Sequence, residues 1–149
     1  MNAVAEDLTG LRYAHGVDQQ AGVLAYFPEA EPVRIAIVTS RRTRRWVFPK
    51  GSIDAGMTAP EAAAQEAFEE AGVIGRISTD PIGAYRVAKI RPPLIWTVEV
   101  TLYPLVVDEV LDVWIEADQR ERRFVTLDEA AELQADPDML ALASHFLGC

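Results

Sequence analysis

The chain has 149 residues, half of them hydrophobic and a quarter charged, the composition of an ordinary globular protein rather than a disordered one. That length predicts one domain over 1–149, with a core that needs neither disulfides nor a structural metal. No apolar run approaches the roughly 18 residues of a membrane helix, and the start carries Glu6 and Asp7 without the basic patch and apolar core of a secretory leader. The single cysteine, Cys149, excludes an internal disulfide and any thiolate metal cluster, so the expected compartment is the cytoplasm.

The net charge of −9 argues against a nucleic-acid polymer as partner, because such binders present basic faces to phosphate. Eleven of the fourteen basic residues nevertheless fall in three short groups: Arg41, Arg42, Arg44, Arg45 and Lys50; Arg86, Lys89 and Arg91; Arg120, Arg122 and Arg123. Cations concentrated in this way suit a small, highly charged anion, and scattered loop charge is the plainer alternative.

In chain order, Gln20 to Phe27 and Val33 to Ser40 read as strands, the second apolar at nearly every position, as a central strand covered on both faces would be. Trp46 to Phe48 is a brief extended piece, and Gly51 to Gly56 reads as a loop. A helix begins at Thr58: Glu61 three residues later makes a capping box, Pro60 sits in the first turn, and Gly72 supplies the stop. Strands follow at Ile82 to Lys89, Leu94 to Val107 with a bend at Pro104, and Arg122 to Val125. Thr126 with Glu129 caps a helix to about Gln134, and Asp136 before Pro137 starts a last one to about Leu147. This order predicts an α/β protein with layers around a mixed sheet.

On the first helix, Glu66, Glu69 and Glu70 are related as i, i+3 and i+4 and share an arc of about 100°, while Ala64, Ala67, Phe68 and Ala71 make the expected packing face. Like charges at these spacings repel, and no Lys or Arg lies between Lys50 and Arg76 to offset them. A hard divalent cation would do so, taking carboxylate oxygens and completing its shell with water and substrate phosphate; a solvated acidic face is the plainer alternative.

The stretch P-K-G-S-I-D-A-G-M-T-A-P-E-A-A-A-Q-E-A-F-E-E-A-G-V, from Pro49 to Val73, resembles the signature of the Nudix hydrolases. Gly51, Glu66, Ala67, Glu69, Glu70, Gly72 and Val73 stand at matching positions with the right spacing throughout. The resemblance implies a Nudix-type α/β/α sandwich with a loop-helix-loop catalytic motif, hydrolysis of a diphosphate linked to another moiety, and Mg²⁺ or Mn²⁺ held by Glu66, Glu69 and Glu70, which would also be the catalytic residues. Two positions depart from the signature: Met57 replaces a Glu, and Gln65 replaces an Arg. Met57 removes a carboxylate; Gln65 removes a charge but can still donate hydrogen bonds.

Three further segments look like parts of the diphosphoinositol polyphosphate phosphohydrolases, a group that includes diadenosine polyphosphate hydrolases: the run from Ile35 to Gly51, V-V-D-E-V-L-D-V-W from Val106 to Trp114, and R-E-R-R-F from Arg120 to Phe124. That branch agrees with the independent charge argument, and Arg41, Arg45, Lys50, Lys89 and Arg122 are the expected contacts to a small polyphosphorylated substrate. Water would attack phosphorus with metal assistance, and a carboxylate would take its proton: Glu66 or Glu70, or a further Glu among Glu99, Glu109 and Glu116. His15 and His145 lack partners at metal-ligand spacing, and Trp46, Trp96 and Trp114 are expected in the core, with one of them stacking on a base as the alternative. A nucleoside triphosphate or nucleotide-sugar pyrophosphatase, or a non-catalytic binding module suggested by Met57 and Gln65, are the alternative functions; monomer and homodimer both stay open.

Overall fold

The computed structural model describes residues 4–6 and 10–149. Part of the acidic start, Asp7 included, and the side chains of Glu6 and His15 lie outside the described residues.

The strands are β1 (Val4–Glu6), β2 (Arg12–Phe27), β3 (Arg34–Thr39), β4 (Trp46–Val47), β5 (Lys50–Ser52), β6 (Val73–Ile77), β7 (Gly83–Arg91), β8 (Leu94–Val110) and β9 (Arg122–Val125). The helices are α1 (Ala59–Ala71), α2 (Leu127–Glu132) and α3 (Pro137–Leu147). The strands form one mixed sheet ordered β4-β3-β2-β8-β6, with β5 and β1 on β2, β7 on β8, and β9 on β3. Its axis is the parallel pair β2 and β8, which runs from Arg12 opposite Leu94 to Tyr26 opposite Val106 with a register shift between Tyr13 and Val17; the other pairs are antiparallel.

Alternation along the central strands divides the core into two layers. Leu24, Ile35, Ile37, Val98, Val100 and Leu102 meet Ala130, Met139 and Ala143 of α2 and α3 on one face. Val23, Ala25, Ala36, Val38 and Leu105 meet Ala62, Ala63, Ala67 and Ala71 of α1 on the other. The result is the expected α/β/α sandwich, with β3 buried on both sides.

The helix signals are realised in detail. Thr58 and Thr126 each accept from the backbone N–H three residues on while Glu61 and Glu129 reciprocate, and Gly72 closes α1 in the left-handed conformation with φ 62°. Departures fall where pairing overrides local pattern. β2 starts at Arg12 rather than Gln20, because its polar first half is held by the backbone of β8. Lys50–Ser52, expected within or beside a loop, is a strand on Gln20–Gly22. β6 had no local signal; it pairs with β8 through a bulge at Gly75, where a Cβ would collide with the Val106 carbonyl oxygen. β8 runs through Pro104 to Val110 as one strand.

The packing face of α1 is also corrected. Ala62, Ala63, Ala67 and Ala71 are buried together with Glu70, whereas Phe68 is 38 % exposed. The helix is therefore turned so that the Glu66 and Glu70 edge looks inward, towards β5, instead of lying wholly opposite the packed side.

Candidate active site

Three pieces of chain meet at the inward edge of α1: β5, the inner face of β7, and the loop that precedes β9. The Lys50 backbone N–H donates to Glu70 Oε1 at 3.3 Å, and Gly51 lies so close to Glu66 that a Cβ there would come within 2.5 Å of the Glu66 Cδ. Glycine at the start of the motif is thus required by approach to a carboxylate, and only a strand fixed by β2 brings it there.

Glu66 and Glu70 share a hydrogen bond between their carboxyl groups. Burial first, then that bond, then the charges of Glu70, Glu69 and Glu116 push the Glu66 carboxyl up to about 9. Burial likewise raises Glu70, against the opposing pull of Arg120. Two adjacent carboxyls, Glu70 buried and Glu66 half-buried, cannot both ionise cheaply. Glu69 is held differently: its Oε1 accepts from Gln65 Nε2 at 3.2 Å. The amide at the family's Arg position therefore still orients a neighbouring carboxylate. Met57, at the other departure, packs against the apolar layer under α1.

The acidic face has a protein counter-charge after all. Arg120, with its side chain 8 % exposed, reaches Glu70 Oε2 at 3.2 Å and Glu116 Oε1 at 2.8 Å, and donates to the Thr39 carbonyl at 3.0 Å. The absence of Lys or Arg near the helix in sequence thus did not mean absence in space. Glu116 belongs to the same cluster, since its backbone N–H donates to the Glu69 carbonyl at 3.0 Å. Of the other two candidate carboxylates, Glu99 pairs with Arg86 at 3.1 Å and Glu109 sits on the exposed end of β8.

The basic residues divide into two kinds. Lys50 and Lys89 come together: burial first and then Lys89 lower Lys50 to about 8, and burial lowers Lys89 against the pull of Glu70. Among the described residues neither ammonium has an ion-pair partner. Arg122, expected at the substrate, instead donates to the Ala71 and Leu111 carbonyls at 2.9 and 2.8 Å and stacks 3.9 Å from the Trp114 ring centroid. It clamps the end of α1 to the loop between β8 and β9. Arg41 donates to Gln119 Oε1 at 3.2 Å, and Arg45 is exposed on the same turn. Arg42 and Arg44 tie that turn to the Ile90 and Gln119 carbonyls. Trp46 and Trp96 pack against the core, as expected.

Sequence reasoning left Arg120 unassigned, although its i, i+4 spacing from Glu116 was a usable sign. It also missed Tyr85, which shares the alternating inner face of β7 with Lys89.

Among the described residues, no three His, Cys, Asp or Glu side chains are gathered as closely as around an ion. The donor chemistry still fits a hard divalent cation. Glu66, half-buried, and Glu70, buried, offer adjoining carboxylate oxygens, and hard oxygen ligands are what Mg²⁺ and Mn²⁺ select.

Comparison with known proteins agrees with the fold. Residues 19–146 match the NUDIX domain. The chain is 31 % identical over 105 residues to Nudix hydrolase 4 of Arabidopsis thaliana, covering 70 % of this chain and 49 % of that protein. It is 34 % identical over 125 residues to Nudix hydrolase 13, mitochondrial, of the same plant, covering 77 % and 60 %. A diphosphoinositol polyphosphate phosphohydrolase 3-beta of Bos taurus is 27 % identical, covering 79 % and 70 %. The chain thus spans about half the length of several of the curated relatives it matches. A C. elegans Ap4A hydrolase binary complex has the same fold, with a TM-score of 0.66 at 20 % identity over 89 % of this chain and 98 % of that one. With a signature loop and helix, a sandwich built around them and a match over most of its length, this chain belongs to the NUDIX domain family.

Proposed function

We propose that the chain is a divalent-metal-dependent hydrolase of phosphoanhydride bonds in a small polyphosphorylated substrate of the diadenosine polyphosphate or diphosphoinositol polyphosphate type. The observation that carries this reading is the junction of Glu66 and Glu70, side by side and inward-facing, with Lys50 and Lys89, two ammonium groups without ion pairs that lie within electrostatic reach of Glu70. Glu66, Glu69 and Glu70 would hold the Mg²⁺ or Mn²⁺, and the hydrogen bond from Gln65 would orient Glu69 for that task. When bound, the ion makes the attacking water more acidic and offsets charge on the bridging and leaving oxygens. Lys50 and Lys89 hold phosphate and fix which phosphorus is in line. Glu116, or Glu66 itself, accepts the proton of the attacking water.

Arg120 fixes the position of Glu70 and Glu116. Arg41 and Arg45, on the exposed turn, serve the distal end of a long anion, and overall similarity to the bovine diphosphoinositol polyphosphate phosphohydrolase supports the longer-substrate branch. Arg122 acts by securing the end of α1 rather than by touching phosphate. Among the described residues no helix is long and apolar enough to cross a membrane; the cytoplasm is proposed on cysteine usage alone.

The test is a substrate panel with Mg²⁺ or Mn²⁺, products resolved by chromatography: diadenosine polyphosphates, a diphosphoinositol polyphosphate, nucleoside triphosphates and ADP-ribose, with Glu70→Gln as control. The expected result is metal-dependent turnover of a polyphosphorylated member, lost in the variant. Turnover indifferent to Glu70, or none on any member by folded protein, refutes the reading and favours a binding module.

A further inference from the structure

The carboxylates of α1 are not equally compensated. Glu70 Oε2 lies 3.2 Å from Arg120, a cation whose side chain is 8 % exposed and which also binds Glu116. Glu69, one residue earlier, has no ion pair among the described residues. Arg122, the other cation at this end of the helix, is turned onto the Ala71 and Leu111 carbonyls and the Trp114 ring. What Glu69 has instead is a neutral partner: Gln65 Nε2, one helical turn away, donates to its Oε1 at 3.2 Å.

A glutamine amide and an arginine guanidinium can both donate to a carboxylate, but only the second brings a charge. An arginine at 65, related to Glu69 as i and i+4, would place a cation on that carboxylate and compete there with any other cation. The amide restrains the side chain and adds no charge to it. Space is not what excludes the longer residue. Gln65 lines a groove of about 350 Å³ between α1 and β6, with Ala64, Phe68, Val73, Gly75 and Leu105, and an arginine stem can lie along apolar surface of this kind. Glutamine in place of arginine therefore acts on the site through charge.

We infer, resting on the metal-dependent reading above, that Gln65 is a positioning residue which holds Glu69 without neutralising it. The protein's own cation, Arg120, is committed to Glu70, so Glu69 is the uncompensated carboxylate through which the site attracts its divalent ion. The departure from the signature at position 65 is then no mark of a decayed site. With a neutral residue at 65 and a cation at 120, the counter-charge of the helix falls on Glu70 rather than Glu69, and that decides which glutamate is left to the metal.

The test measures binding of Mn²⁺ alone, without substrate, by loss of the free-ion electron paramagnetic resonance signal. It uses the full chain and its Gln65→Arg, Gln65→Met and Glu69→Gln variants, with the thermal midpoint of each. A unit charge added beside a divalent-ion site in near-aqueous surroundings weakens binding about tenfold, the loss expected of Gln65→Arg in dilute buffer. That deficit should shrink as salt is raised, because a partly exposed charge is screened; a merely displaced Glu69 would not respond in this way. Gln65→Met loses one hydrogen bond and adds no charge, so its binding should be about two- to fivefold weaker at every salt concentration. Glu69→Gln should lose more affinity than either, and it decides the matter if Gln65→Arg does not fold. Parent-like affinity in folded Gln65→Arg, a deficit there that salt leaves unchanged, or parent-like affinity in Glu69→Gln would each overturn the assignment and leave the metal-dependent reading standing. No Mn²⁺ binding by the unaltered protein would overturn the assignment together with the reading beneath it.

Discussion

Gly51→Ala is the smallest change that separates the chemistry of the site from the stability of the fold. Gly51 has an ordinary backbone conformation, so alanine brings no strain of its own. Its Cβ would lie 2.5 Å from the Glu66 Cδ and 3.0 Å from Oε2. Ordinary contact begins near 3.4 Å, so the carboxylate must retreat by about 1 Å, and the long glutamate side chain can do so by rotation. A misplacement of about 1 Å in a catalytic group costs on the order of a hundredfold in rate. We therefore expect kcat to fall about a hundredfold and Mn²⁺ to bind more weakly, with a thermal midpoint within a few degrees of the parent. Steady-state kinetics, Mn²⁺ titration and thermal unfolding on one preparation decide it. Full activity and unchanged Mn²⁺ affinity in Gly51→Ala would refute the placement of Glu66 at the metal.

Arg120→Leu should be a folding mutation, because Glu70 and Glu116 would be left buried without their cation; breaking such a pair costs about 3–5 kcal/mol, and a thermal midpoint close to that of the parent would show the bridge to be dispensable. Thr126→Ala removes the hydroxyl half of the second capping box, at a cost of about 0.5–2 kcal/mol read by urea unfolding. The box also carries a pH signature. Hydrogen bonds from the Thr126 backbone and side chain hold the Glu129 carboxyl below its ordinary value, so its contribution is complete above the unfolded carboxylate's pKa of about 4.3 and is lost as pH falls through the lower folded value. The gap between parent and Thr126→Ala should accordingly narrow below about pH 4; a gap that widens in acid would contradict the assignment.

Local chemistry in the sequence was enough to set α1, α2 and α3 with their caps, because a capping box, an N-terminal proline and a left-handed glycine act within a few residues of one another. The apolar run of β3 likewise declared a strand buried on both faces, and the spacing of Gly51, Glu66, Glu69 and Glu70 declared the family motif. None of these needed a distant partner. What the sequence left open depends on residues far apart along the chain. β5 and β6 exist through the backbones of β2 and β8. The rotation of α1 that buries Glu70 and exposes Phe68 is decided by the layer it packs on. The counter-charge of the acidic face comes from Arg120, fifty positions after Glu70. Arg122, two residues further, is spent on the carbonyls of Ala71 and Leu111. Side-chain type advertises what a residue can bind; the sheet register, fixed by long-range pairing, decides whether its partner is solvent, the protein itself or a ligand.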